Sequence, residues 1–196
     1  MSLKDRIGVD LGRRVSLEDG VAWAVEHDVT YIDAQLDIAP NGLDTFDEAR
    51  CRPILNAAAA GGIHIGLHTL SGVNIAEYSP FLSEAVDDYL AAYIDVAVRL
   101  NAEWVVVHPG HHFGDKKVRM EAAVAHIAKA AKYAEDKGAT LHLENMNWEP
   151  DLAEVHYLAH TVEEAQYYFD RLDSPALKWS FTVNHAHLVP DGIDGF

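Results

Sequence analysis

The chain has 196 residues, 49% hydrophobic and 9% aromatic, enough for one domain spanning 1–196 with a substantial core. Its 15 Lys and Arg stand against 31 Asp and Glu, a formal net charge of −16 that repels phosphate backbones and anionic lipid, so nucleic acid and membrane are not expected as partners. The single cysteine, Cys51, rules out an internal disulfide framework. No apolar run reaches the roughly 18 residues of a membrane-spanning helix. The opening MSLKDRIGVD lacks a signal-peptide core, which makes a cytoplasmic protein the default expectation.

Strand and helix signals alternate along the chain. Strands are predicted over 6–11 (RIGVDL), 30–36 (TYIDAQL), 63–69 (IHIGLHT), 103–109 (EWVVVHP), 139–145 (ATLHLEN) and 177–183 (LKWSFTV). The first helix opens at Ser16 with an N-cap followed by acids. The second runs over 44–60 and stops at Gly61-Gly62, carrying Cys51 as an inert residue. The third covers 83–100, the fourth 118–137 before Gly138, and the fifth 161–172, where Thr161-Val-Glu-Glu reads as a capping box. Strands alternating with helices of this length indicate βα units around a parallel sheet. VDLGRR after the first strand lacks G-x-G-x-x-G, which argues against a dinucleotide fold.

Four polar residues recur at the ends of predicted strands, about one βα unit (~40 residues) apart: His68, His108, Glu144 and His185. In a barrel of parallel strands such residues converge on one mouth, where the active site is built. Imidazole and carboxylate together suggest divalent-metal binding or proton transfer. The expected fold is therefore α/β, a (β/α)8 TIM-type barrel with about six of its units present. The full barrel needs eight units and usually about 250 residues, so the chain reads as a fragment or a reduced barrel.

These residues resemble the xylose-isomerase-like barrels, the group of sugar phosphate isomerases and epimerases and family 2 AP endonucleases. The resemblance rests on His68, His108-Pro109-Gly110, Leu143-Glu144-Asn145-Met146 and His185-Ala186-His187-Leu188. It covers nearly the whole chain and matches roughly three-quarters of the family's barrel. It implies a divalent ion (Mn, Mg, Co or Zn) at the mouth, with Glu144 and His185 as ligands. The family's strand-six aspartate is replaced by Thr182 and its neighbouring glycine by Asn184. Further ligands and an acid/base glutamate are expected from strands seven and eight.

A buried carboxylate such as Glu144 demands a positive partner, a metal or an imidazolium. Glu144, His108 and His68 are the expected catalytic residues, with His108 and His68 orienting or polarising substrate. Asn145, Trp148, Gln35 and His187 are expected to bind substrate; the tryptophan could stack on a sugar ring. Asp33 and Asp10 are lesser candidates for hydrogen bonds to a polyol. His142 and His64 read as interior packing residues, His111 and His112 as loop residues, and His27, His126, His156 and His160 as surface residues in helices or their flanks. Glu163-Glu164 reads as a plain acidic helix start.

The leading expectation is a metal-dependent isomerase, epimerase or related lyase that removes a proton beside the carbonyl of a small sugar or keto acid. A divalent ion would spread the developing charge and a carboxylate would move the proton. Two alternatives stand beside it. One is a degenerate, non-catalytic barrel or a subunit needing a partner. The other is a zinc-dependent AP endonuclease, which suits the histidines but not the acidic charge. A homo-oligomer is compatible with all three.

Overall fold

The computed structural model describes residues 3–196. In chain order it runs β1 (Gly8–Asp10), α1 (Leu17–Glu26), β2 (Tyr31–Gln35), α2 (Glu48–Gly61), β3 (His64–His68), α3 (Pro80–Leu100), β4 (Trp104–Val107), β5 (His111–His112), α4 (Lys116–Lys137), β6 (Leu141–Glu144), β7 (His156–Tyr157), α5 (Val162–Phe169), β8 (Leu177–Ser180), α6 (Val183–Ala186) and α7 (Gly192–Gly195). Six strands form one parallel sheet in the order β1-β2-β3-β4-β6-β8. Among the described residues β1 and β8 each have one neighbour, so the barrel wall stays open between them.

The helix starts follow local chemistry. Ser16, Asp47 and Thr161 accept the amide hydrogens of Asp19, Arg50 and Glu164. Each satisfies a donor that the first turn leaves without a partner. Cys51 is buried in α2, as expected.

The strands sort their side chains by parity. Ile32, Ala34, Ile65, Leu67, Val105, Val107, Leu141, Leu143 and Leu177 are buried toward the helices. They pack with Leu17 and Val21 of α1, Ile54 of α2, Tyr93, Ile94 and Leu100 of α3 and Ile127 of α4. The other parity, Asp33, His68, Trp104, His142 and Glu144, lines the inner side of the wall, because successive side chains on a strand point to opposite faces.

Three expectations need correction. The last strand does not reach residue 183: it stops at Ser180, and Thr182 precedes α6. The cause is Asn145, whose side chain takes both the amide and the carbonyl of Thr182 and ends the ladder there. His111 and His112 are not loop residues but form β5, which pairs antiparallel with β7 and so places His156 in a strand. His126 is buried rather than at the surface, held by Asp87 at 2.5 Å and the Glu77 carbonyl at 2.9 Å. Glu163 and Glu164 stand in the acidic first turn of the helix capped by Thr161, as expected, with Glu164 buried against Lys116.

Candidate functional site

Sheet register sets the site. His68 pairs with Val106, Val106 with His142, and Val107 with Leu143. His68 closes β3, Glu144 closes β6, and His108 lies one residue past β4. The three side chains therefore emerge side by side at the carboxyl ends of three neighbouring strands. His108 and Glu144 are buried, and His68 is half-buried.

Glu144 Oε2 lies 2.9 Å from His108 Nε2 and 3.5 Å from His68 Nε2. The two Nε2 atoms are 3.2 Å apart. Each imidazole is anchored by its other nitrogen: His68 Nδ1 at 2.7 Å from Asp33 Oδ2, His108 Nδ1 at 3.2 Å from Thr69 Oγ1. His185 is held in the same manner, with Nδ1 at 2.8 Å from the Asn145 carbonyl and 3.7 Å from Glu144 Oε1. The Thr182 hydroxyl donates to Glu144 Oε1. Thr182 therefore fills the second lobe of the carboxylate at the position where the resemblance expects an aspartate.

The electrostatics follow from these contacts. Burial works to raise the Glu144 pKa. Hydrogen bonds from His108, His68 and Thr182 outweigh it and hold the carboxyl well below the usual range. Burial disfavours a charged His68, yet its bonds to Asp33 and Glu144 carry its pKa to about 10. Burial pushes His108 down despite its bond to Glu144. The buried carboxylate thus faces two imidazoles, one of which its bonds to Asp33 and Glu144 favour in the charged form.

The donor set fits a divalent ion. Ligand atoms of His68, His108 and Glu144 lie within 4.8 Å of one another. With Nδ1 of each histidine engaged, both Nε2 atoms meet the same carboxylate. Two imidazole nitrogens and a carboxylate oxygen suit zinc, manganese or cobalt. Among the described residues this is the group with metal-site spacing, and His185 stands beside it through Glu144 Oε1.

The predicted substrate residues lie in different settings. Gln35 ends β2 and accepts from Arg13 Nε at 2.9 Å. Trp148 is 40% exposed in the loop after β6. His187 is exposed at the end of α6. Asn145 is 2% exposed, with both ends of its amide committed to Thr182. His142 stacks on Trp104 with ring centroids 6.3 Å apart, consistent with interior packing. Thr69, Trp104 and Tyr93, which support the cluster, carried no sequence signal beyond ordinary strand and helix positions. Asp33 did, as a carboxylate at an inward position of an otherwise apolar strand.

A cavity of about 490 Å³ opens in the outer layer between α2 and α3, lined by Asp44, Phe46 and Arg99 among others. It shares no residue with the strand-end cluster and lies outside the barrel wall.

Residues 21–194 match the profile of a family described as xylose isomerase-like TIM barrel. Similar solved structures include a D-tagatose 3-epimerase-like protein, 20% identical with a TM-score of 0.77, covering 92% of this chain and 66% of that one. D-psicose 3-epimerase from Clostridium cellulolyticum H10 is 16% identical with a TM-score of 0.80, covering 96% and 67%. An L-ribulose 3-epimerase is 16% identical with a TM-score of 0.73, covering 94% and 62%. At such identities the likeness establishes the fold, and the chain spans about two-thirds of these proteins' length. No curated protein matches the sequence.

Proposed function

The chain belongs to the xylose isomerase-like TIM barrel family, and on that premise we propose that it is a metal-dependent sugar isomerase or epimerase-like protein. Its substrate would be a small sugar or keto acid, and the reaction the removal of a proton beside a carbonyl. The observation that carries this reading is the convergence of His68, His108 and Glu144 on one point at the strand ends. These three would hold the ion. A bound divalent ion supplies Lewis-acid stabilisation of negative charge on substrate oxygens.

The chain's own residues prepare that site. Asp33 and Thr69 turn the two imidazoles so that Nε2 faces inward. Glu144, kept ionised by its donors, supplies the anionic ligand. The Asn145 carbonyl holds Nδ1 of His185 and leaves Nε2 as the atom able to take or hold a proton. Trp148, half out of the mouth loop, offers an apolar face to a sugar ring. The sugar epimerases of similar fold support the substrate class.

The test is a Zn²⁺ and Mn²⁺ titration of the purified chain beside Glu144→Gln, followed by proton NMR of ketohexoses in D₂O with the loaded protein. About one ion bound per chain, lost in the variant, with deuterium entering beside the carbonyl, supports the proposal. No binding by wild type, or equal binding by Glu144→Gln, overturns it. A second reading, an ion-binding barrel that does not turn over alone, is favoured by Thr182 standing on Glu144 in place of a carboxylate. Ion binding without deuterium exchange would select it.

A further inference from the structure

Asp33 lies in the middle of β2, two residues before the strand's end, on the inner face of the wall. Its partner on β3 is Gly66, and the partner of Gly66 on β4 is Trp104. These three positions form one rung across three strands. The middle position carries no side chain, and the Trp104 indole fills the space it leaves. A Cβ at Gly66 would fall 1.9 Å from Trp104 Cε2 and 2.1 Å from Nε1. Through this gap Trp104 Nε1 reaches Asp33 Oδ1 at 3.0 Å. The other oxygen, Oδ2, takes His68 Nδ1 at 2.7 Å, from the position two residues beyond Gly66 on the same face.

Asp33 is thus gripped on one oxygen by an indole and holds an imidazole on the other. Two N–H groups converge on it. A carboxylate accepts both, whereas an amide has one accepting end and one donating end. Of the three histidines at the mouth, His68 alone has its Nδ1 hydrogen-bonded to a carboxylate; those of the others bond a hydroxyl and a backbone carbonyl. An anionic partner on the far nitrogen fixes the tautomer, sets the ring's orientation and makes the near nitrogen a better donor to a metal. Trp104 in turn packs on Tyr31 and His142, with ring centroids 6.2 and 6.3 Å away, so the indole cannot swing off Asp33 freely.

We propose that Asp33, locked by Trp104 across Gly66, is a positioning residue that presents His68 Nε2 to a divalent cation at the strand ends. The inference rests on the metal reading above and names the device behind one of its ligands. Asp33 itself touches neither ion nor substrate.

The experiment uses Zn²⁺ alone as probe, by competition with a chelating dye, on wild type, Glu144→Gln, Asp33→Asn and Trp104→Phe. It is joined to ¹⁵N–¹H spectra of the His68 ring in the Zn²⁺-loaded chains. Asp33→Asn is expected to weaken Zn²⁺ binding about 10- to 100-fold, the range for outer-shell partners of ligating histidines. The slowly exchanging ring N–H at His68 Nδ1, present in wild type, should be lost or strongly shifted. Trp104→Phe keeps an aromatic ring but removes the N–H together with the fused pyrrole ring that fills the space at Gly66, so a several-fold loss, smaller than that of Asp33→Asn, with the same spectral shift is expected. A role confined to folding would lower thermal stability and leave affinity and ring signal in place. If wild type binds, Glu144→Gln does not, and Asp33→Asn binds as tightly as wild type with an unchanged His68 signal, this inference fails while the site stands. If wild type binds no Zn²⁺, both fall together.

Discussion

Tyr93 sits in the middle of α3, fully buried. Its hydroxyl ties together the carboxyl ends of two strands that build the site. It accepts the Leu36 amide hydrogen at 3.0 Å, just past β2, and donates toward Asp37 Oδ2 at 2.7 Å, with the His68 carbonyl at 3.0 Å. Burial pushes its pKa far above the ordinary tyrosine range, so it remains a neutral donor. Tyr93→Phe keeps the ring and its packing and deletes only the oxygen, so no cavity larger than one atom is made. The loss is then polar: a buried Leu36 N–H without its partner costs about 1–3 kcal/mol. Asp37 retains the Tyr89 hydroxyl at 2.7 Å, which limits the cost on that side to about 1 kcal/mol. The expected destabilisation is about 2–4 kcal/mol, or roughly 4–16 °C in Tm for a chain of this size. Thermal and urea unfolding followed by circular dichroism measure it, at low protein concentration and without added metal. A change below about 0.5 kcal/mol, the size of an ordinary surface substitution, would refute the reasoning.

Gly110 has φ +89, and a Cβ there would meet Asn74 Oδ1 at 2.5 Å and Ala76 N at 2.7 Å. Gly110→Ala should therefore cost at least about 2 kcal/mol in unfolding experiments, from strain and crowding together. Thr182→Asp places a second carboxylate against Glu144 Oε1. It should destabilise the metal-free chain by about 1–3 kcal/mol through repulsion and the lost hydrogen bond, lowering its Tm, and enlarge the Tm rise on adding Zn²⁺. An unchanged or smaller metal-induced rise would count against an ion at this carboxylate. Arg119 binds Glu77 Oε2 and Asp115 Oδ2, each at 3.1 Å. Burial opposes ionisation of both carboxyls, but backbone amides and Arg119 hold their pKa values below normal. Carboxyls depressed in the folded state contribute stability that is present above their unfolded values and lost as pH falls through the folded ones. The stability gap between wild type and Arg119→Gln, measured by urea unfolding, should thus be open at pH 7 and narrow below about pH 4. A gap that does not change with pH would assign Arg119's contribution to packing alone.

Strand and helix were legible in the chain because apolar residues repeat at two or near 3.6 positions and caps mark the helix ends. Their positions at strand ends also placed His68, His108 and Glu144 at the mouth. The sequence alone thus determined a parallel α/β wall and the membership of its polar cluster. The tertiary structure decided what each of those residues does. Asp33 meets His68 and Trp104 because register sets Asp33 against Gly66 and Gly66 against Trp104, and no local pattern encodes register between strands that lie 30 residues or more apart. Likewise Asn145 halts β8 and Thr182 caps Glu144 through contacts 37 and 38 residues distant. His126 read as a surface group because helix periodicity records polarity, while its burial rests on Asp87 from another element. Which nitrogen of each histidine faces the centre is settled by the hydrogen-bonding partner behind it, and those partners come from β2, from the turn after β3 and from the end of β6.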